Sequence, residues 1–361
     1  MASRRTGLAF TGAALMLLLA GCGAPSADTP QPSASPTPEA GPVSASEPSV
    51  RVPADCTDLV DAGELHSSTG TAVTAVDASL AAPAALESTA AAQYGVLACA
   101  WSTGPLAIDS PVPIVTITVV PGVTAERWGQ FASSTDGDDG VRRGDYGADS
   151  FVDCGPSRFD GSTCTLDNLV GDYWLSVLVA APDPGVSLES SAAVFVRATD
   201  VVRAIAEPAA SRWVSARADA SRLDSATVSA AMAASGEFEA VLQASSPEFG
   251  ATWLPAAETD MTSVVFSGTR IADGGPTDFT LQVLPSGAWA FAGLARSGGD
   301  AAAVDDLGDA AVAYPSPDGT AVVFTVGDDL VLVDVYGSAA TDDAGLADAT
   351  ATARAVAAAL G

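Results

Sequence analysis

Residues 151–169 read Phe-Val-Asp-Cys-Gly-Pro-Ser-Arg-Phe-Asp-Gly-Ser-Thr-Cys-Thr-Leu-Asp-Asn-Leu. Two runs with strand character, Phe151 to Cys154 and Thr163 to Leu169, flank the dipeptide Asp160-Gly161. Asp-Gly tolerates the left-handed backbone of a tight turn, so the stretch predicts a β-hairpin. Folding it places Cys154 and Cys164 on facing strands at a separation that a disulfide can bridge. Working outward, Tyr173 to Val179 reads as a further strand beyond Gly171-Asp172. Val112 to Val120 reads as another, with Val115, Ile117 and Val119 on one face and Thr116 and Thr118 on the other. Between these strands, Thr124 to Ser133 is a helix candidate whose Trp128 and Phe131 share a face. A helix from Ser191 to Ala206, stopped by Pro208, closes the unit.

The unit opens near Val52. Cys56-Thr57-Asp58-Leu59-Val60 leads into a short helix that Asp61 caps, with Glu64 three residues on completing a capping box and Gly70 ending the turn. Ala81 to Ala92 reads as loop or weak helix. Tyr94 to Trp101 reads as a strand carrying Cys99 and Trp101. The remainder of the chain replays this order. A helix spans about Ala226 to Ser235, with Gly236 as its stop. Thr252-Trp253 takes the place of Ala100-Trp101. A strand alternates Phe279, Leu281 and Val283 with Thr280 and Gln282. A meander then runs through Ala310 to Tyr314, Ala321 to Val326 and Leu330 to Tyr336, with turns at Asp318-Gly319 and Gly327-Asp328-Asp329. A closing helix covers Asp343 to Leu360. Asp-Gly followed by Gly-Asp occurs in both halves, at 160–161 and 171–172 and again at 318–319 and 327–328. The repeated order of elements points to a duplication.

Ahead of both units lies an export signal. Arg4 and Arg5 precede an apolar run, Gly7 to Ala20, too short and too rich in small residues for a membrane-spanning helix. The run closes on Leu19-Ala20-Gly21-Cys22, which resembles the lipobox of bacterial lipoproteins. The resemblance implies cleavage before Cys22, a diacylglyceryl group on its thiol, and an exported body tethered to the membrane by that lipid. Gly23 to Val50 holds seven prolines among Ser, Thr, Ala and Gly. It has little apolar surface to bury and reads as a disordered spacer. The expected division is therefore 1–21 signal peptide, 22–51 lipidated cysteine and linker, 52–208 first domain and 209–361 second domain.

Lysine is absent, and arginine supplies all 15 basic residues against 44 acidic ones. Loss of the leader leaves 13 basic residues and a net charge of −31. Such a surface repels nucleic acid, and no nucleic-acid partner is expected. With Cys22 lipidated, Cys56, Cys99, Cys154 and Cys164 remain. An even count in an exported chain argues for two disulfides, and of the three pairings we favour Cys56 with Cys99 and Cys154 with Cys164. All four lie in the first unit; the second has Val and Tyr at the comparable hairpin, which predicts apolar packing there. Paired Cys-x-x-Cys knuckles are missing, so no zinc site is expected.

Cys56-Thr57-Asp58-Leu59-Val60, followed by Cys99-Ala100-Trp101, resembles the Cys-x-x-Leu-Leu…Cys-x-Trp arrangement of lipobox-bearing actinobacterial lipoproteins of unknown function. Their domains are similar to extracellular sensor domains of some actinobacterial receptor kinases. The likeness covers about Val52 to Pro208, and Val60 stands where a second Leu is common. It implies an α+β fold, a twisted antiparallel sheet with helices packed on one face. Extended through the internal duplication, it implies two such domains in tandem. The family supplies no reaction and no catalytic residue.

The residues themselves offer little chemistry. His66 is the only histidine and reads as a surface residue at a helix end. A chain without lysine has no P-loop and no Schiff-base lysine. Asp153, Asp160, Asp167 and Asp172 are expected at strand ends or turns, where Asp serves turn geometry. Asp136-Gly137-Asp138-Asp139-Gly140 is rich in oxygen ligands but misses the calcium-loop register, and it reads as a solvated loop. Trp101, Trp174, Trp253 and Trp289 read as strand residues of the core. No cofactor or metal is expected. The expected function is non-enzymatic binding or sensing of an unknown protein or small molecule, with the cleft between the units as the ligand's place. The rival expectations are a cell-wall glycan hydrolase using paired carboxylates and a structural subunit of a membrane complex.

Overall fold

The computed structural model describes residues 47–361 apart from 77, 79–85, 105–113, 136–140, 158–160, 183–184, 206–208, 214–224, 235–237, 245–250, 252, 271–275, 298–300, 317–318, 337–342 and 361. Seven strands of the first half are β1 (Thr74–Val76), β2 (Leu97–Ser102), β3 (Ile114–Pro121), β4 (Arg142–Arg143), β5 (Ser150–Ser157), β6 (Gly161–Val170) and β7 (Tyr173–Pro182). Its helices are α1 (Cys56–Leu59), α2 (Ala62–Thr69), α3 (Glu87–Tyr94), α4 (Ala125–Thr135) and α5 (Leu188–Ala204). The second half contains β8 (Phe238–Ala244), β9 (Thr262–Arg270), β10 (Pro276–Leu284), β11 (Ala302–Ala303), β12 (Ala310–Pro315), β13 (Gly319–Val326) and β14 (Asp329–Tyr336). Helices α6 (Ser225–Ala234), α7 (Trp253–Glu258), α8 (Phe291–Ser297) and α9 (Asp343–Leu360) accompany them.

Every strand pairing is antiparallel, and the two sheets have the orders β1-β2-β3-β7-β6-β5-β4 and β11-β12-β13-β14-β10-β9-β8. Adding seven to each strand number of the first sheet gives the second sheet read backwards. This is the α+β architecture of two sheet-based units implied above, with one topology used twice. Residue-level register agrees. Gly171 and Gly327 both turn the chain with positive φ, 62° and 59°, between the last two strands of each sheet. Counting from them aligns Ile117, which faces Val177 across the ladder, with Leu281, which faces Val333.

Alternation decides what each sheet buries. In the first half Val115, Ile117 and Val119 turn inward and meet Val194, Phe195, Ala198 and Val202 of α5, along with Leu59 and Leu65. The α5 set recurs at helical spacing, which is why this helix lies flat on the sheet. In the second half Phe279, Leu281 and Val283 meet Val228 of α6 and Ala349, Ala353 and Val356 of α9. Caps fix the small helices. The Asp61 carboxylate accepts from the N–H groups of Gly63 and Glu64, and Glu64 accepts from the Asp61 N–H at 2.9 Å, so the capping box is present. Helix α2 then ends at Gly70.

The opposite faces carry further helices, so the helices are not confined to one face of each sheet as expected. Trp128 and Phe131 of α4 pack on Phe151 and Trp174, with the Trp128 and Trp174 rings perpendicular at 5.2 Å. Helix α3, reached from the first sheet, places Leu86 and Ala90 among Leu284, Val323, Leu330 and Leu332 of the second. The described residues from 47 onward belong to one compact unit.

Several expectations change. Glu87 to Tyr94 is a helix, so Tyr94 ends α3 and β2 starts only at Leu97. Its weak amphipathicity in ESTAAAQY hides it, because part of its burial comes from the distant half. Trp253 begins α7, and Trp289 lies in a single 3-10 turn, Ala288–Ala290; neither is in a strand. Trp101 and Trp174 are buried strand residues as read. Asp153 and Asp167 lie inside β5 and β6 rather than at their ends. Seven residues before Gly171 stands Cys164, facing Cys154; seven before Gly327 stands Thr320, facing Pro315. Pro315 and Thr320, not Val and Tyr, therefore hold the comparable places. The acidic stretch 136–140 and Asp160 lie outside the described residues, as do Cys22 and almost all of the spacer.

Candidate functional site

Helix α5 buries one side against the first sheet and turns the other outward. On that outer side Ala192, Ala193 and Val196 line a shallow, open groove of about 770 Å³ that runs along α5 past Val201 to Ala204 and is bordered by Glu64 of α2. Val196 is 49% exposed, one of few large apolar side chains so placed. Small side chains at 192, 193 and 204 leave this floor low.

Arg197 closes one wall. Its Nε donates to the Asp58 carbonyl at 3.1 Å, and its guanidinium stands 3.4 Å from the Asp61 carboxylate and 3.5 Å from that of Glu64. Exposed ion pairs contribute little stability. Here they fix geometry, joining α5 to the residues that cap α2. Glu64 and Asp200 complete a rim that is mixed in charge around an apolar floor. Such a groove can accept an apolar group flanked by a polar one.

The cystines brace the same region. Cys56 is bonded to Cys99 with a Cα separation of 5.6 Å, which pins α1 to β2. Cys154 is bonded to Cys164 across β5 and β6 at 4.1 Å. Disulfides of this kind suit an oxidising, extracellular environment. Among the described residues no helix is long and apolar enough to cross a membrane.

The titratable groups singled out from the sequence do not converge. His66 is exposed in the last turn of α2, and only its carbonyl has a role there, accepting from Gly70. Asp167 faces the aromatic cluster under α4. Its Oδ1 accepts from the Trp174 indole N–H at 2.8 Å, and burial pushes its carboxyl above the usual range, with the bonds to Trp174 and Ser176 pulling back. Tyr314 is raised by burial and by the nearby Asp334 charge, and Asp334 accepts from Ser316 at 2.7 Å. Glu87 is raised by burial and lies between the two sheets. Among the described residues no three His, Cys, Asp or Glu side chains gather as a metal site would require.

Between the sheets, where a ligand cleft was expected, α3 and α7 bring buried side chains together. Sequence reading missed the groove because its floor is alanine and valine on a helix already assigned to the core; the one available signal was Val196 on the polar side of α5. Comparison with protein-family models, with curated proteins and with solved structures yields no match for this chain.

Proposed function

We propose that the chain is an exported module that binds or senses a partner, held to the membrane by a lipid on Cys22, and that it acts by binding rather than by catalysis. The groove along α5 carries this reading. It pairs an apolar floor with a fixed arginine and two carboxylates, on a body stapled by cystines against the conditions outside a cell. The partner is a protein segment or a small molecule with an apolar group beside a polar one. The proline-rich spacer gives the body reach from the membrane surface.

Mass spectrometry of natively expressed protein tests the anchor. A diacylglyceryl-modified Cys22 is expected, and an unmodified peptide spanning Gly21 and Cys22 refutes it. A photo-reactive residue at position 196 of the anchored protein tests the groove. Cross-links are expected at 196, reduced by Arg197→Glu, and absent when the same probe replaces Val265, another exposed apolar residue at 39%. Equal labelling at both positions refutes the site.

A further inference from the structure

The duplicated halves exchange an element. In each, the helix between the first two strands covers the other half's sheet. Leu86 and Ala90, at and just inside the start of α3, are fully buried on the second sheet. Ala251, two residues ahead of α7, and Leu254, in its first turn, join Val120, Val123, Trp128 and Trp174 on the first. The same structural position therefore performs the same task in both directions, which is the mark of an isologous, two-fold interface. Even the helix stops correspond: α3 ends at Gly95 with φ 88°, and α7 at Asp260 with φ 57°.

Polar groups confirm a close fit. Gln282 of β10 uses both ends of its amide on the first half: Oε1 accepts from the Leu86 N–H at 2.8 Å, and Nε2 donates to Glu87 at 2.7 Å. Gln93 of α3 does likewise on the second, donating to the Pro285 carbonyl at 2.9 Å and accepting from the Trp289 indole at 3.2 Å. Glu258, at the end of α7, pairs with Arg127 of α4 at 3.0 Å. Both glutamines are buried, and pulling the halves apart leaves an apolar face uncovered on each.

We infer that residues 47–361 are an internal two-fold dimer, in which the α3–α7 face of each half is a docking surface for the other half. The contact is a standing one and does not depend on the segment joining α5 to α6. Relative domain motion is the usual expectation for small polar contacts, and a large apolar one removes it. The ligand groove on α5 lies on the other face of the first sheet and stays open whether or not the halves move.

The test uses the full chain with a specific protease site placed within residues 214–224, cut under native conditions. The two fragments are expected to stay together as one species in gel filtration and native mass spectrometry through a hundredfold dilution. Separation of the fragments, folded or unfolded, overturns the inference. Ala90→Arg in the cut protein is expected to separate them; fragments that remain joined with arginine there also overturn it. Gln93→Ala and Gln282→Ala, milder changes, are each expected to weaken fragment association about tenfold, because each strands buried partners. No loss from either variant contradicts the role given to the buried amides.

Discussion

The two halves share one strand order yet solve the problem of holding a sheet to its helices differently. The first places Cys99 on β2 and bonds it to α1. The second places Val264 at the matching point, since Leu281 faces Val264 as Ile117 faces Cys99. Cys154 and Cys164 likewise give way to Pro315 and Thr320. In compensation the second half buries a larger residue where the first has Val115: Phe279, stacked on Phe266 at 4.8 Å. The topology thus tolerates either covalent staples or a bulkier core, and no cystine is required by the fold itself. The halves differ again in what α3 and α7 contribute. Helix α3 brings a carboxylate, Glu87, that accepts from the buried Gln282 amide, whereas the carboxylate of α7, Glu258, pairs with the exposed Arg127 of α4.

Substitutions in both halves probe that contrast. The largest effect belongs to Phe279→Ala, which is expected to cost about 3–5 kcal/mol in chemical denaturation, against roughly half of that for Val115→Ala at the matching position. Equal losses would mean that Phe279 does not compensate for the missing staples. Next, replacing Cys56 and Cys99 together is expected to cost about 4 kcal/mol, and replacing Cys154 and Cys164 about 3, from the entropy of the loops they close. Substituting Val264 in the second half by Ala should leave both of those losses unchanged, and coupling between them would join the halves more closely than their separate cores allow. Asp61→Ala removes the α2 cap and is expected to cost about 1 kcal/mol, with a loosening of Arg197 visible as faster amide exchange in α2.

The smallest effect is pH-dependent. Burial holds the Glu87 carboxyl above its ordinary value in the folded chain. Below the ordinary carboxylate range it is protonated in both folded and unfolded states and has no effect. As pH rises from that range through the raised folded value, the unfolded chain ionises first and the folded state loses stability; above it the loss is complete and level. Glu87→Gln is therefore expected to melt higher than the parent at neutral pH, with the gap closing as pH falls to the ordinary carboxylate range. A gap that widens toward acid would reverse the sign of this account.

Elements with strong local pattern were legible. The alternation of Val115, Ile117 and Val119 located β3, the capping box of Asp61 and Glu64 located α2, and the periodicity of residues 343–360 located α9. The strand segments 310–314, 321–326 and 330–336 read as the meander that forms. Helix α3 was not legible, since Leu86 and Ala90 are buried by residues some two hundred positions away. Trp253 and Trp289 misled because an indole in an apolar context reads as strand core; Trp253 instead begins α7, and the Trp289 indole donates to Gln93 of α3. Asp167 looked like a turn residue until the partnership with Trp174 placed it inside a strand.

The local elements, their repetition and the cysteine framework were legible in the chain itself, because each rests on the spacing of neighbouring residues. Tertiary structure alone decided which face of each sheet receives the other half's helix, and where a groove stays open on α5. Those outcomes depend on surfaces assembled from distant segments, and burial of such surfaces carries no periodic trace in the chain that supplies them.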